Sequence, residues 1–304
     1  SYTVNSKNVN NTEQKGGVLM QIGEVLGDIR KNKNLKSKEV YKGILSRPAI
    51  SRFEKGHSDT TAEKFLQILE NLNLSLEEFH FLYDGNKANT DAMMISAYSE
   101  AYYAKDIPRL AALEEASRNH FDETSQIKYL HHASIIHLLR CNLSELPFPH
   151  KELAVIKNYL FHCETWHYYE LVLFTNALDF FPEDAVDAVY ARAKEKMTEF
   201  NQMKRYKNEL FSLISNILVL QLEKNNLEKS LFYYDDLEKT VSVSDNRMYE
   251  HVMLLFFKEL IGIMQQQEDA QKLTDIIRTF KLLDMERVAN QCEGLLETVR
   301  NNNA

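Results

Sequence analysis

Three groups of residues in this sequence have types and spacings that could do chemistry. The first is the stretch Ser46-Arg47-Pro48-Ala49-Ile50-Ser51-Arg52-Phe53-Glu54-Lys55-Gly56. It reads as a short helix with a hydroxyl cap at Ser46, proline in its first turn and glycine just past its end. Ile50 and Phe53, three apart, face a core, and Arg47, Ser51 and Arg52 fall outside that stripe. An arginine at the start of such a helix can grip guanine O6 and N7 with both arms of its guanidinium. The second group is the pair Asn176 and Asn216, each interrupting a helix that is apolar on nearly every side. A buried amide must find partners, and an asparagine can give to and accept from a peptide backbone at once. An interhelical hydrogen bond would satisfy it equally well. The third group is His131, His132, His137 and Cys141, of which the last two have the i, i+4 spacing a metal could use. No second pair of comparable spacing completes a site, so surface or core histidines are the expectation and no cofactor is assigned.

The elements that position these groups are helical. Leu19, Ile22, Val25, Leu26 and Ile29 recur at helical spacing from Val18, with Arg30 and Lys31 in the last turns. A second helix fits Ser37 to Ile44, and only a tight Leu45-Ser46 connection separates it from the basic one. Thr60-Thr61-Ala62-Glu63 and Ser75-Leu76-Glu77-Glu78 match the capping-box spacing and start two more. Five short helices, the second and third tightly joined, make a helix-turn-helix bundle ending near Tyr83-Asp84-Gly85-Asn86. In such a bundle Arg47, Pro48, Ala49 and Ser51 face bases, Arg52 faces a base or phosphate, and Arg30, Lys36 and Lys55 lie near the backbone. Glu54 is expected to pair internally with a basic residue of the first helix such as Arg30, which makes Arg30 partly structural.

Beyond Thr90 the chain reads as helix after helix, with no glycine between Asn86 and Ile261 and no convincing period-two strand. Its breakers are Pro108, Leu146-Pro147-Phe148-Pro149, Pro182, and polar joints near Asn225-Asn226, Ser242-Val243-Ser244 and Glu268-Asp269. Between them lie apolar helices such as Met93 to Tyr103, Ile127 to Leu139, Tyr168 to Phe181, Leu210 to Leu222 and Val252 to Met264. Helix pairs with short loops stack as a right-handed solenoid of degenerate tetratricopeptide-like repeats. The fold class is therefore all-α. The expected organisation is an extension over 1–17, a helix-turn-helix domain over 18–84, a linker over 85–90 and a helical-repeat domain over 91–304.

Composition sets limits on function. The 304 residues carry a net charge of -8, yet nine basic and only two acidic residues lie between Arg30 and Gly56. A basic island on an acidic protein suits a phosphate-facing surface. No apolar run reaches membrane-spanning length. The polar opening 1–17 is no secretory signal and reads as a disordered or expression-derived extension, with Met20 a possible natural start. Cys141, Cys163 and Cys292 are odd in number and widely spaced, which points to a reduced cytoplasm. There is no phosphate-binding glycine loop and no nucleophile constellation, so no enzyme is expected.

Residues 20–84 resemble the lambda-repressor-type helix-turn-helix of the Rgg/GadR/MutR family of regulators, through Met20-Gln21-Ile22-Gly23-Glu24, Arg30 and Ile50-Ser51-Arg52-Phe53-Glu54-Lys55-Gly56. Glu164-Thr165-Trp166-His167-Tyr168-Tyr169-Glu170 followed by Leu173-Phe174-Thr175-Asn176 resembles the aromatic signature of that family's C-terminal domain. The resemblance implies repeats wrapping a concave groove that binds a short signalling peptide, with Asn176 and Asn216 as its amides. Arg140, Tyr169, Tyr206, Tyr249 and Lys258 are further lining candidates. Many relatives carry glutamine where Arg47 stands and a polar residue at Pro48, so their operator preference does not transfer. Some carry a cysteine soon after the recognition helix; here that region holds Ala62, and no such disulfide is expected. One helix-turn-helix unit reads too few base pairs to compete with a genome, which implies a homodimer on a roughly palindromic operator. The competing readings are the same DNA-binding regulator responding to a metabolite or acid stress, and a peptide-responsive module that sequesters another protein.

Overall fold

The computed structural model of the chain describes residues 20–84, 90–197, 200, 203–241, 247–267 and 269–303. The extension 1–17, Val18, Leu19, positions 85–89 of the expected linker and the Ser242-Val243-Ser244 joint lie outside the described residues. Every regular element among the described residues is helical. The chain divides into two compact units that part between Met94 and Ile95.

The first unit holds α1 (Ile22–Asn32), α2 (Ser37–Tyr41), α3 (Arg47–Phe53), α4 (Ala62–Asn71) and α5 (Leu76–Tyr83). Its core is Val25, Leu26, Val40, Tyr41, Phe53, Ile68, Leu69, Leu72 and Phe79, with Ile22, Ile29, Ile44, Ile50 and Phe65 packed around them. None of these helices is long enough to stand alone, so packing of their apolar stripes supplies their stability. α2 stops at Tyr41, three residues short of the expected Ile44, and Gly43 follows in the left-handed region at φ 79°. At α5 the Ser75–Glu78 box is present: the Ser75 N–H donates to Glu78 Oε2 at 2.7 Å and the Glu78 N–H to Ser75 Oγ at 3.1 Å. At α4 the cap is one residue later than expected. Thr61 accepts from the Lys64 N–H, and the Thr60–Glu63 box does not form.

The second unit is built from α6 (Thr90–Tyr103), inside which the division falls, and α7 (Ile107–Thr124), α8 (Ile127–Leu143), α9 (His150–His162) and α10 (Tyr168–Ala177). After a 3-10 turn at Leu178–Phe180 follow α11 (Glu183–Met197), α12 (Lys204–Glu223), α13 (Leu227–Val241), α14 (Met248–Met264), α15 (Ala270–Leu282) and α16 (Glu286–Asn303). Sequence neighbours pack on each other: α7 on α8, α8 on α9, α12 on α13, α13 on α14, α14 on α15 and α15 on α16. That is the arrangement of a helical repeat. α12 is the central post, packing also on α10, α14 and α16.

Glycine is scarce here because other residues end the helices. Lys105, Ser125, Glu145, Asn225, Gln266 and Asp284 all adopt φ between 53° and 59° just past a helix end, where glycine is usually found. Polar ties hold the register of α11 against α13. Lys229 Nζ donates to Glu183 Oε1 (2.6 Å) and Asp187 Oδ2 (2.7 Å), Tyr233 donates to Asp187, and Tyr190 donates to Asp236.

Candidate nucleic-acid interface and ligand groove

The inner side of α3 is locked in place. Phe53 is buried, Ile50 half-buried, and α1 crosses so closely that a Cβ on Gly23 would lie 1.9 Å from the Phe53 carbonyl oxygen. Ser46 occupies the N-cap in an extended conformation, but its hydroxyl makes no cap bond; Pro48 in the first turn needs no donor there. Gly56 reverses the chain at φ 71°.

The outer side is basic and open. Arg47, Pro48, Ser51 and Arg52 are exposed, Ala49 is half-buried, and Lys36 and Lys55 are exposed nearby in the chain. No described residue forms a salt bridge with Arg47, Arg52, Lys36 or Lys55.

Arg30 differs. Its Nε and Nη2 donate to Glu54 Oε1 and Oε2 at 2.6 and 2.9 Å, and its Nη1 donates to the Leu35 carbonyl at 2.7 Å. Burial pushes the Glu54 pKa up more than any single neighbour pulls it down, but the hydrogen bonds and charge of Arg30, with Tyr41 and Lys31, together hold the carboxyl below its usual range. The same pair raises Arg30. Glu54 pairs with Arg30 as its sequence position suggested. The guanidinium is a tie between α1, the end of α3 and the α1–α2 turn, which makes Arg30 partly structural.

In the second unit a cavity of about 840 Å³ runs along α12. Phe211, Ser212, Ser215, Asn216, Val219, Leu220 and Glu223 form its α12 wall, a stripe at helical spacing. Tyr249, Met253, Phe256 and Phe257 of α14 and Val288, Gln291, Cys292, Gly294 and Leu295 of α16 face that stripe, with Tyr103, Asn142, Thr175 and Asp179 completing the wall. Burial pushes the Cys292 thiol up to about 12, which leaves it unreactive at neutral pH.

Of the expected lining residues, the structure brings Asn216 and Tyr249 to this wall. Asn176 donates from Nδ2 to its own helix at the Val172 carbonyl (2.7 Å), and its neighbour Thr175 reaches the wall instead. Arg140 donates to Glu114 Oε2 at 2.6 Å, part of a cluster in which Glu114 also holds Arg118 and His137. Tyr169 shares a 2.7 Å hydrogen bond with His131 Nδ1. Tyr206 is buried, stacks on Phe200 and accepts the Tyr168 N–H at the start of α10. Lys258 is exposed on α14 but is not part of the wall.

Sequence reasoning missed Ser215, Asp179, Glu223 and the Phe211–Met253–Phe257 surface. The signal for the α12 part was present: Ser212, Ser215, Asn216 and Glu223 share one face of the mostly apolar second half of that helix. The suspected metal residues have other roles. His131 and His132 are buried in α8, and His137 Nδ1 lies 2.9 Å from Glu114 Oε1. Among the described residues no three potential ligands converge on a metal position, and no helix is long and apolar enough to cross a membrane.

A five-helix bundle with a basic, open α3, followed by helical repeats around a groove, defines a helix-turn-helix protein with an appended helical-repeat domain. The family model for the C-terminal domain of the HTH-type transcriptional regulator Rgg matches residues 110–294, and a helix-turn-helix model matches residues 26–79. The chain belongs to the Rgg family of helix-turn-helix transcriptional regulators. Solved structures share the fold. A candidate transcriptional regulator from Listeria monocytogenes EGD-e is 21% identical, with 94% of this chain and 99% of that one covered at a TM-score of 0.81. The SHP pheromone receptor Rgg2 of Streptococcus dysgalactiae is also 21% identical, over 91% and 99% of the two chains, at 0.69. PrgX in complex with cCF10 is 15% identical, over 91% and 92%, at 0.70.

Proposed function

We propose that this chain is a cytoplasmic homodimeric transcription regulator that reads double-stranded promoter DNA through α3 and is switched by a short signalling peptide held in its repeat groove. The observation that carries the DNA half is the asymmetry of α3. Its inner face is fixed by Phe53 and the Gly23 contact, while Arg47, Ser51 and Arg52 stand exposed with the arginines unneutralised by any described residue. In this reading Arg47, Pro48, Ala49 and Ser51 meet base edges, Arg52 meets a base or a phosphate, and Lys36 and Lys55 meet phosphates. Residues 18–84 serve as the DNA-binding domain, 85–90 as the linker, and 91–304 as the ligand-binding and dimerisation domain.

Support for the peptide half comes from the groove itself: a cavity of a size that suits small ligands, walled by aromatics with a few polar groups. Rgg2 is a pheromone receptor and PrgX has been solved with cCF10, which makes a peptide the best-supported ligand class here. For switching, the peptide must bind one state of the dimer better than the other. Titration of the full chain onto its promoter DNA with and without peptide tests both halves. Arg47→Ala is expected to lose roughly 1–3 kcal/mol of discrimination at one base pair per half-site, with the peptide response retained. Asn216→Ala is expected to bind DNA normally and lose the response. Unchanged discrimination in the first variant, or an unchanged response in the second, would remove that half of the proposal.

A further inference from the structure

The wall of the groove is chemically one-sided. Its two charged members are both acidic, Asp179 after α10 and Glu223 at the end of α12, and neither lysine nor arginine belongs to it among the described residues. Arg287 is held over the Tyr103 ring, 5.6 Å from its centroid, and is not part of the wall. Two turns before Glu223 on the same α12 stripe, Ser215 is 8% exposed and its hydroxyl has no hydrogen-bond partner. A buried hydroxyl without a partner carries a desolvation penalty that a ligand's carbonyl could relieve. Phe211, Met253, Phe257 and Leu295 supply apolar surface in the same wall.

Resting on the reading of this groove as the peptide site, we propose that it selects a ligand with a positive charge, an ammonium or guanidinium group engaged by Asp179 and Glu223. An apolar segment of the same ligand lies against Phe211, Met253 and Phe257, and a ligand carbonyl accepts from Ser215 Oγ. The electrostatics agree with the geometry. Both carboxylates are reached by solvent yet walled by protein, and burial raises their pKa values, Glu223 further through the charge of Asp179. A cation placed between them removes that mutual repulsion, whereas an anion would add to it.

The test is calorimetric titration of the full-length chain with four pools of C-terminally amidated octapeptides randomised over leucine, valine, threonine and phenylalanine. One pool has free amino termini, one is acetylated, one is acetylated with a single lysine, and one is acetylated with a single aspartate. A charge-selective groove binds the free-terminus pool, the lysine pool or both at least tenfold more tightly than the acetylated neutral pool, and the stronger of the two identifies the source of the charge. Asp179→Asn and Glu223→Gln should each weaken that binding roughly ten- to hundredfold, leave the neutral pool unaffected and keep the melting temperature at or above that of the parent chain. If the neutral or aspartate pools bind as tightly, and Asn216→Ala abolishes them, the charge selectivity is overturned and the peptide groove stands. If no pool binds, both are overturned. Equal, Asp179-dependent binding of 1,4-diaminobutane alone would overturn the peptide part and move the site to small amines.

Discussion

His131 is 1% exposed in α8, with Nδ1 bonded to the Tyr169 hydroxyl and Nε2 without a partner. Burial, reinforced by the neighbouring His132 and only partly opposed by Glu170, lowers its pKa to about 4. The sign of the linkage follows. The unfolded chain takes up the proton below about 6.5, while the folded chain stays neutral down to about 4, so acidification through that window removes stability, by up to about 3 kcal/mol. Denaturant melts at about pH 7 and about pH 5 should therefore show a smaller acid loss in His131→Phe than in the parent chain. Equal losses in the two proteins would contradict the buried neutral imidazole. Residues differed in how much of this could be foreseen. The Arg30–Glu54 pair was legible because opposite charges flanked two elements that had to touch. Tyr169, Tyr206 and Arg140 were not, because their partners His131, the Tyr168 N–H and Glu114 lie 26 to 38 residues away. Helical spacing tells which face a side chain shares, and says nothing of what a distant helix brings to it.

Among elements, the crossing of α1 and α3 decides whether the basic helix is presented at all. Gly23 admits the Phe53 carbonyl where any side chain would collide with it. Gly23→Ala is expected to destabilise the first unit by about 1–3 kcal/mol or more and to weaken DNA binding through loss of folded α3, read as a lowered melting transition. An unchanged melt would show that the crossing can relax. The helix ends of the second unit predict the opposite sign. Lys105 is exposed, follows α6 and holds φ at 53°, a conformation that costs an ordinary residue about 1 kcal/mol. Lys105→Gly should raise stability by up to about 1 kcal/mol, less the extra entropy of glycine in the unfolded chain. The succession of helices is legible from apolar spacing and the proline breakers, and the long glycine-free stretch is plain in the sequence while its cause is not. The reason is geometric: polar residues end these helices in the left-handed region. Boundaries moved where a turn competed with periodicity, as at Tyr41 before Gly43, or where one threonine capped instead of the next, as at Thr61.

At the scale of the whole molecule, the charge distribution and the two units assign different work to different parts. The basic residues between Arg30 and Gly56 sit on a chain of net charge -8, so long-range attraction to DNA is concentrated on the first unit. The second unit offers an acidic, aromatic groove instead. That division was legible in outline from charge and helix content. The groove's wall was not, because it is assembled from α6, α8, α10, α12, α14 and α16 and only Asn216 and Tyr249 of the expected set reach it. The measurement that bears most directly on the account is selection of DNA from a random-sequence pool by the full-length chain, run in parallel with Arg47→Ala. The expected result is an inverted-repeat motif with two half-sites about one helical turn, ~34 Å, or a multiple of it apart, and loss of preference at one base pair in each half-site for the variant. Enrichment of no motif, or of the same motif at undiminished stringency by Arg47→Ala, would contradict it.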